Sequence, residues 1–284
     1  MNLQWYPGHM VKTKRLIQEN LKLVDIVIEL VDARLPISSR NPQIESIIGT
    51  KPRILMMNKS DLADPDVNKA WLNWFRKNNI NVILADSITG KGLEKISAAA
   101  QELLKEKLER AKNKGIVNRP IKLLVAGIPN VGKSSFINKI AGKASAKTGD
   151  KAGVTKGKQW IRLNNGYELL DTPGILWPKF EDVEVGKKLA YTGAIKDEII
   201  DIEELTYNLL AFLRDSYPQC LIDRYKLDSV DGYEGHELLE KIGRKRGCVI
   251  SGGEIDTMRT SAIILDEFRG AKIGKISLEK PMEE

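Results

Sequence analysis

The sequence has little of the chemistry that metal centres and disulfide scaffolds require. Only two of its 284 residues are cysteine and two are histidine. Cys220 and Cys248 lie far apart, with no second Cys or His at ligand spacing. They read as reduced thiols of a cytosolic protein rather than as a zinc site or a disulfide framework. A long apolar run is also missing. A membrane helix needs about 20 such residues, and the longest stretch, residues 24–31, is interrupted by Asp25 and Glu29 and followed by Asp32. It reads as a buried strand, and no membrane partner is expected. The opening Trp5-Tyr6-Pro7 segment has no apolar leader core, so a cytoplasmic location is expected.

Apolar residues make up 42% of the chain, enough for one full α/β core and a smaller companion domain. The net charge of +7 is unevenly spread. Residues 1–174 carry 29 Lys and Arg against 16 Asp and Glu, whereas residues 175–284 carry 16 against 22. The basic first part favours a polyanionic partner. The acidic second part confines any such contact there to a patch.

Short β-branched runs at 24–31, 53–57, 81–85 and 121–126 are each followed by turn residues and then a helical pattern. This alternation predicts a parallel sheet with helices on both faces. Residues 160–163 and 167–170 flank Asn164-Asn165-Gly166, a hairpin signal that predicts an antiparallel edge. One long helix is expected over 92–111, with Leu93, Ile96, Ala100, Leu103 and Leu104 on a single face, and a linker over 112–120. Beyond Trp177 the pattern is helical, as in Leu205, Leu209, Phe212 and Leu213. The expected division is therefore an α/β domain over 1–177, with an N-terminal extension to about residue 22, and an all-α domain over 178–284.

The sharpest motif runs from Gly127 through Gly132-Lys133-Ser134, a complete GxxxxGK[ST] between a predicted strand and a predicted helix. In that context, backbone amides and the helix N-terminus cradle phosphates, because both present uncompensated N–H dipoles. Nucleotide contacts are assigned to Gly127, Asn130, Val131, Gly132, Lys133, Ser134 and Ser135. Lys133 is assigned to the β- and γ-phosphates and the Ser134 hydroxyl to Mg²⁺.

Phosphates alone do not select a base. Asn58-Lys59-Ser60-Asp61 follows the strand at 53–57 and resembles the NKxD motif of Ras-like GTPases. The resemblance implies that Asp61 accepts from guanine N1–H and the 2-amino group, with Asn58 and Lys59 supporting the loop. Adenine offers neither donor there, and the unpaired carboxylate is the cost that discriminates. Ser87, within Ala85-Asp86-Ser87, resembles the weaker fifth motif beside the base. Asp171-Thr172-Pro173-Gly174 resembles DxxG, which implies a Mg²⁺-linked Asp171 and a γ-phosphate-sensing Gly174. Thr155 is placed by position as the second Mg²⁺ hydroxyl.

In Ras-like proteins the phosphate loop comes first, whereas here the base motifs do. Permutation relocates termini without changing the sheet, and it leads DxxG directly into the C-terminal domain. This order, with Trp5-Tyr6-Pro7-Gly8-His9-Met10, Asp32-Ala33-Arg34 and Gly274-Lys275-Ile276-Ser277, resembles the circularly permuted ribosome-assembly GTPases over essentially the whole chain. The resemblance implies late maturation of the large ribosomal subunit, GTP hydrolysis stimulated by that subunit, and RNA contact by the helical domain. A monomer is expected, and no DNA partner.

Ile175 occupies the position of the water-orienting glutamine, so a catalytic group must come from elsewhere. Asn130 matches the asparagine that holds a potassium ion in related GTPases, or it simply shapes the loop. His9, after Pro7-Gly8, is a second candidate, able to orient water as a neutral imidazole, or it is a packing or RNA-contact residue. His236 lies among helical charges and reads as solvated. Basic residues cluster around Thr155, where 139–162 holds seven Lys and Arg against Asp150 alone. Further clusters are Lys12, Lys14, Arg15 and Lys22, and Lys241, Arg244, Lys245 and Arg246. Two other readings stay open: a GTP-dependent binding module without turnover, and an ATPase or kinase, which Asp61 disfavours.

Overall fold

The computed structural model describes residues 19–42, 44–116, 119–142, 159–163, 166–171 and 182–282. Strand β1 (Ile26–Asp32) is buried at every position, as a central parallel strand covered on both faces must be. It pairs in parallel with β2 (Arg53–Asn58) on one side and β4 (Ile121–Ala126) on the other. β3 (Val82–Leu84) joins β2, and β6 (Tyr167–Asp171) joins β4, both in parallel. β5 (Gln159–Leu163) closes the edge antiparallel to β6, giving the order β3-β2-β1-β4-β6-β5. The parallel sheet and its antiparallel hairpin edge are those expected from the sequence.

Helices α1 (Ile44–Ile48), α2 (Pro65–Lys77), α3 (Lys95–Leu103), α4 (Lys105–Asn113) and α5 (Lys133–Ala141) accompany the sheet. α2 begins where Asp64 accepts the amides of Asp66 and Val67 and Pro65 fits the first turn. Its Val67, Trp71 and Phe75 are buried among Val31, Ala33, Leu55 and Met57. A second cluster joins α1, through Ile44, Ile47 and Ile48, to Val27, Leu124 and Leu170.

The helix expected over 92–111 is instead two. The chain leaves helical geometry at Leu104, with φ −103° and ψ 7°. Leu104 stays buried there, whereas α4 buries no residue at all and is an exposed, charged helix. An apolar stripe that ends at Leu104 gives the second half no reason to continue on the same axis.

The chain divides into two units, 1–181 with 277–284, and 182–276. This differs from the expected boundary at 177/178 chiefly because Ser277–Glu284 belong with the α/β unit. There the Leu278 N–H donates to the Arg34 carbonyl at 2.7 Å.

The second unit holds α6 (Val183–Tyr191), α7 (Ile202–Ser216), α8 (Pro218–Tyr225), α9 (Gly235–Lys245) and α10 (Thr257–Arg269). α7 packs against the other four, burying Leu205, Leu209, Leu210 and Leu213. Glu267 is buried on α10 and receives Arg224 at 2.6 Å and Arg246 at 2.7 Å. Burial opposes its ionisation, but the two guanidinium groups hold its pKa below the usual range. Neither Cys220 nor Cys248 is in a disulfide, and Cys248 is buried.

Candidate functional site

Every described motif sits at the C-terminal end of a parallel strand, the edge where open α/β sheets bind ligands. β4 ends at Ala126 and the phosphate loop runs from Gly127 to Gly132, where α5 starts. No side chain caps α5 and no acid occupies its first turn. By contrast, Asp64, Asp182, Asp201 and Asp256 cap α2, α6, α7 and α10. Gly132 at the N-cap thus supplies no capping side chain, and no acid of the first turn opposes the positive end of α5. Lys133 Nζ donates to the Gly127 and Ile128 carbonyls at 3.2 and 3.1 Å, folding back across the loop. Asn130 holds φ at 61°, a left-handed conformation that asparagine tolerates better than most residues.

Asn58, at the end of β2, ties three motifs together. Its Nδ2 donates to the Val131 carbonyl in the phosphate loop at 2.7 Å. Its Oδ1 accepts the Ser87 amide at 3.0 Å and the Ser87 hydroxyl at 2.7 Å. Asn58, Val131 and Ser87 are 1%, 2% and 3% exposed, so these bonds have no competing water. Gly132 is required twice over at this junction. Its φ is 94°, and a Cβ there would lie 2.4 Å from Asn58 Nδ2.

Lys59 follows with φ 58°, its Nζ 3.2 Å from Asp32 Oδ2. Asp32 is buried and also accepts Arg34 Nε at 3.0 Å and Nη2 at 2.8 Å. Burial would raise the Asp32 pKa, yet Arg34 and Lys59 hold it well below the usual carboxylate range. For Lys59, burial lowers the pKa more than Asp32 raises it. Asp61 is exposed. The fifth motif is shaped by Asp86, whose Oδ1 accepts the Ile88 and Thr89 amides at 2.8 and 3.3 Å. Burial acts against the ionised Asp86, but Thr89 and these amides lower its pKa. Asp86 is not singled out by the sequence motifs alone, and Asp32 and Arg34 stand there only as a signature. An Asp-Ser-x-Thr run after a strand is an Asx-turn signal that points to the first.

The backbone of Asp171 ends β6, whose Leu169 and Leu170 are in register with Leu123 and Leu124 of β4. A serine hydroxyl opening α5 and a carboxylate residue on the adjoining strand are hard oxygen donors, a set that suits Mg²⁺. The carboxylate of Asp171, together with Thr155, Gly174, Ile175 and His9, lies outside the described atoms. Among the basic clusters, Lys22, Arg244 and Lys245 are exposed. Arg246 turns instead to Glu267, and Lys241 lies 4.1 Å from the Tyr233 ring centroid. His236 is exposed, edge-on to Tyr207.

Sheet order, phosphate loop and motif sequence define a P-loop GTPase with circularly permuted motifs. A family model described as a 50S ribosome-binding GTPase matches residues 122–245. Ribosome biogenesis GTPase A of Bacillus licheniformis is 51% identical over 281 residues, spanning 99% of each chain. The protein of that name from Thermotoga maritima is 32% identical over 281 residues, 98% of this chain and 95% of the relative. The crystal structure of GNP-bound YlqF from T. maritima aligns with a TM-score of 0.65 at 30% identity, covering 96% of this chain and 100% of that one. The chain belongs to the ribosome biogenesis GTPase A family.

Proposed function

We propose that this GTPase is a guanine-nucleotide switch acting late in maturation of the large ribosomal subunit, with hydrolysis stimulated by that subunit. The observation that best supports the switch is Asn58, which bonds the base-reading loop to the phosphate loop through a single buried amide. The ribosomal half of the reading rests on the names of the relatives and of the matched family model.

In this reading Asp61 accepts from the guanine N1–H and 2-amino groups. The amides from Gly127 to Ser135 hold the phosphates, and Lys133 exchanges its two loop carbonyls for phosphate oxygens. Ser134, Thr155 and Asp171 hold Mg²⁺, which when bound offsets charge on the β- and γ-phosphates. Gly174 reads the γ-phosphate and passes its presence to the helical unit that follows in the chain. Ile175 cannot orient water, so that task falls to His9, and Asn130 holds a potassium ion beside the phosphates. Lys22, Arg244 and Lys245, with the basic residues of 139–162, meet rRNA in a monomeric, cytoplasmic protein.

Co-sedimentation with large subunits tests the switch. More protein should pellet with a non-hydrolysable GTP analogue than with GDP, and binding should weaken steeply with salt. Equal pelleting in both states would remove the switch. His9→Ala should lower stimulated hydrolysis while sparing GTP affinity, and equal rates in potassium and sodium would remove the ion from Asn130.

A further inference from the structure

The last residues of the chain are laced onto the base-reading face of the α/β unit. Ser277 Oγ accepts the Asp64 amide at 3.2 Å. Leu278 is 6% exposed, and its N–H donates to the Arg34 carbonyl at 2.7 Å. The Glu279 carboxylate accepts the amides of Ile37 and Ser38 at 2.9 and 3.2 Å and also takes the Ser38 hydroxyl. Its backbone carbonyl accepts Trp71 Nε1 at 3.1 Å. Three consecutive residues therefore join the turn after β1, residues 34–38, to the first two turns of α2.

These two segments flank the base-reading loop. On one side Arg34 binds Asp32, which holds Lys59 at 3.2 Å. On the other, Asp64 caps α2 three residues beyond Asp61. A loop carrying an exposed carboxylate gains its direction from its two ends, and here Asp64 at one end is bound to this short strand directly, and Lys59 at the other through Asp32 and Arg34.

We infer that Ser277–Glu279 form a positioning strap for the guanine-specific loop, holding Asp61 at the angle that bidentate recognition requires. The inference rests on the assignment of Asp61 to the guanine base. A single hydrogen bond tolerates misdirection, whereas two parallel ones do not. Loosening the strap should therefore weaken guanine more than hypoxanthine, which lacks the 2-amino donor. A general loss of stability would weaken both alike.

The experiment uses the full chain carrying Ser277→Ala and Glu279→Ala, with fluorescent GDP dissociation and competition by GDP and IDP. The GDP off-rate should rise about tenfold, and the preference for GDP over IDP should fall about threefold to fivefold, the scale of one weakened hydrogen bond. An unchanged preference overturns the strap, whether or not the protein melts earlier. If the double variant does not fold, Trp71→Phe removes the donor to the Glu279 carbonyl together with some core volume, which weakens GDP and IDP alike, so a fall in preference of about twofold is expected from the lost donor. Asp61→Ala separates the two ideas. If it leaves the GDP preference intact, the base assignment fails. If it abolishes the preference while the strap variants keep theirs, the strap alone fails.

Discussion

Removing the Asn58 side chain is the sharpest test of how the site is assembled. In Asn58→Ala the Val131 carbonyl, the Ser87 amide and the Ser87 hydroxyl each lose a partner, all within a region at most 3% exposed. An orphaned buried polar group costs about 1–3 kcal/mol. The hydroxyl can rotate toward another acceptor, so the total is about 3 kcal/mol. If the loops stay put, the cost appears as stability: at about 2–4 °C per kcal/mol for a unit of this size, the nucleotide-free protein melts about 6–12 °C lower. If the loops relax, it appears as affinity, up to about a hundredfold weaker GDP binding. The geometry sets the sum of the two. Calorimetric melting of the nucleotide-free protein and GDP titration measure both parts. A combined effect below about 1 kcal/mol would refute the claim that this amide holds the motifs together. Ser87→Ala, which leaves the amide contact to Asn58 in place, should cost less than about 1 kcal/mol by the same two assays.

Gly132→Ala should lose GDP affinity by more than about tenfold, because positive φ costs a non-glycine residue about 1–2 kcal/mol and its Cβ would press on Asn58 Nδ2 at 2.4 Å; normal affinity by titration would contradict the geometry. Acid stability should follow the depressed carboxylates Asp25, Asp32, Asp86 and Glu267. Their unfolded forms take up protons first, so the stability they contribute is present above about pH 4 and is lost as pH falls through the lower folded-state values. Circular dichroism against pH should show a plateau above that point, and a loss of structure already at pH 6 would contradict the assignment to these carboxylates. Glu267→Gln should destabilise the helical unit by about 3 kcal/mol, since it leaves the half-buried Arg224 and Arg246 side by side without a counter-charge; hydrogen exchange within α8 and α10 reads the effect.

Much of the α/β unit was legible because its strands are short apolar runs punctuated by turn chemistry. The runs at 53–57 and 121–126 and the Asn164-Asn165-Gly166 turn correspond to β2, β4 and the β5–β6 hairpin. The phosphate loop and the Asn58–Asp61 loop declared themselves by local spacing, and they sit at strand ends. What local pattern did not carry were contacts set by distant residues. Asn58 meets Val131 across 73 positions, and Trp71 meets Glu279 across 208. The tail passed for part of the helical domain because Ile276-Ser277-Leu278 has no feature that names its partner. The break at Leu104 was equally silent, since 92–111 keeps helical composition throughout while its apolar stripe stops halfway. In the sequence Asp32 stands only as part of the Asp32-Ala33-Arg34 signature, and its closeness to Arg34 and Lys59 gives it a part in the site.

The most direct test of the central claim is GTP hydrolysis by the purified protein in potassium buffer with Mg²⁺, alone and with isolated large ribosomal subunits. Turnover should be slow alone and strongly stimulated by the large subunit specifically, with the stimulation lost in Lys133→Ala. A rate unchanged by large subunits, or raised equally by small ones, would contradict the claim.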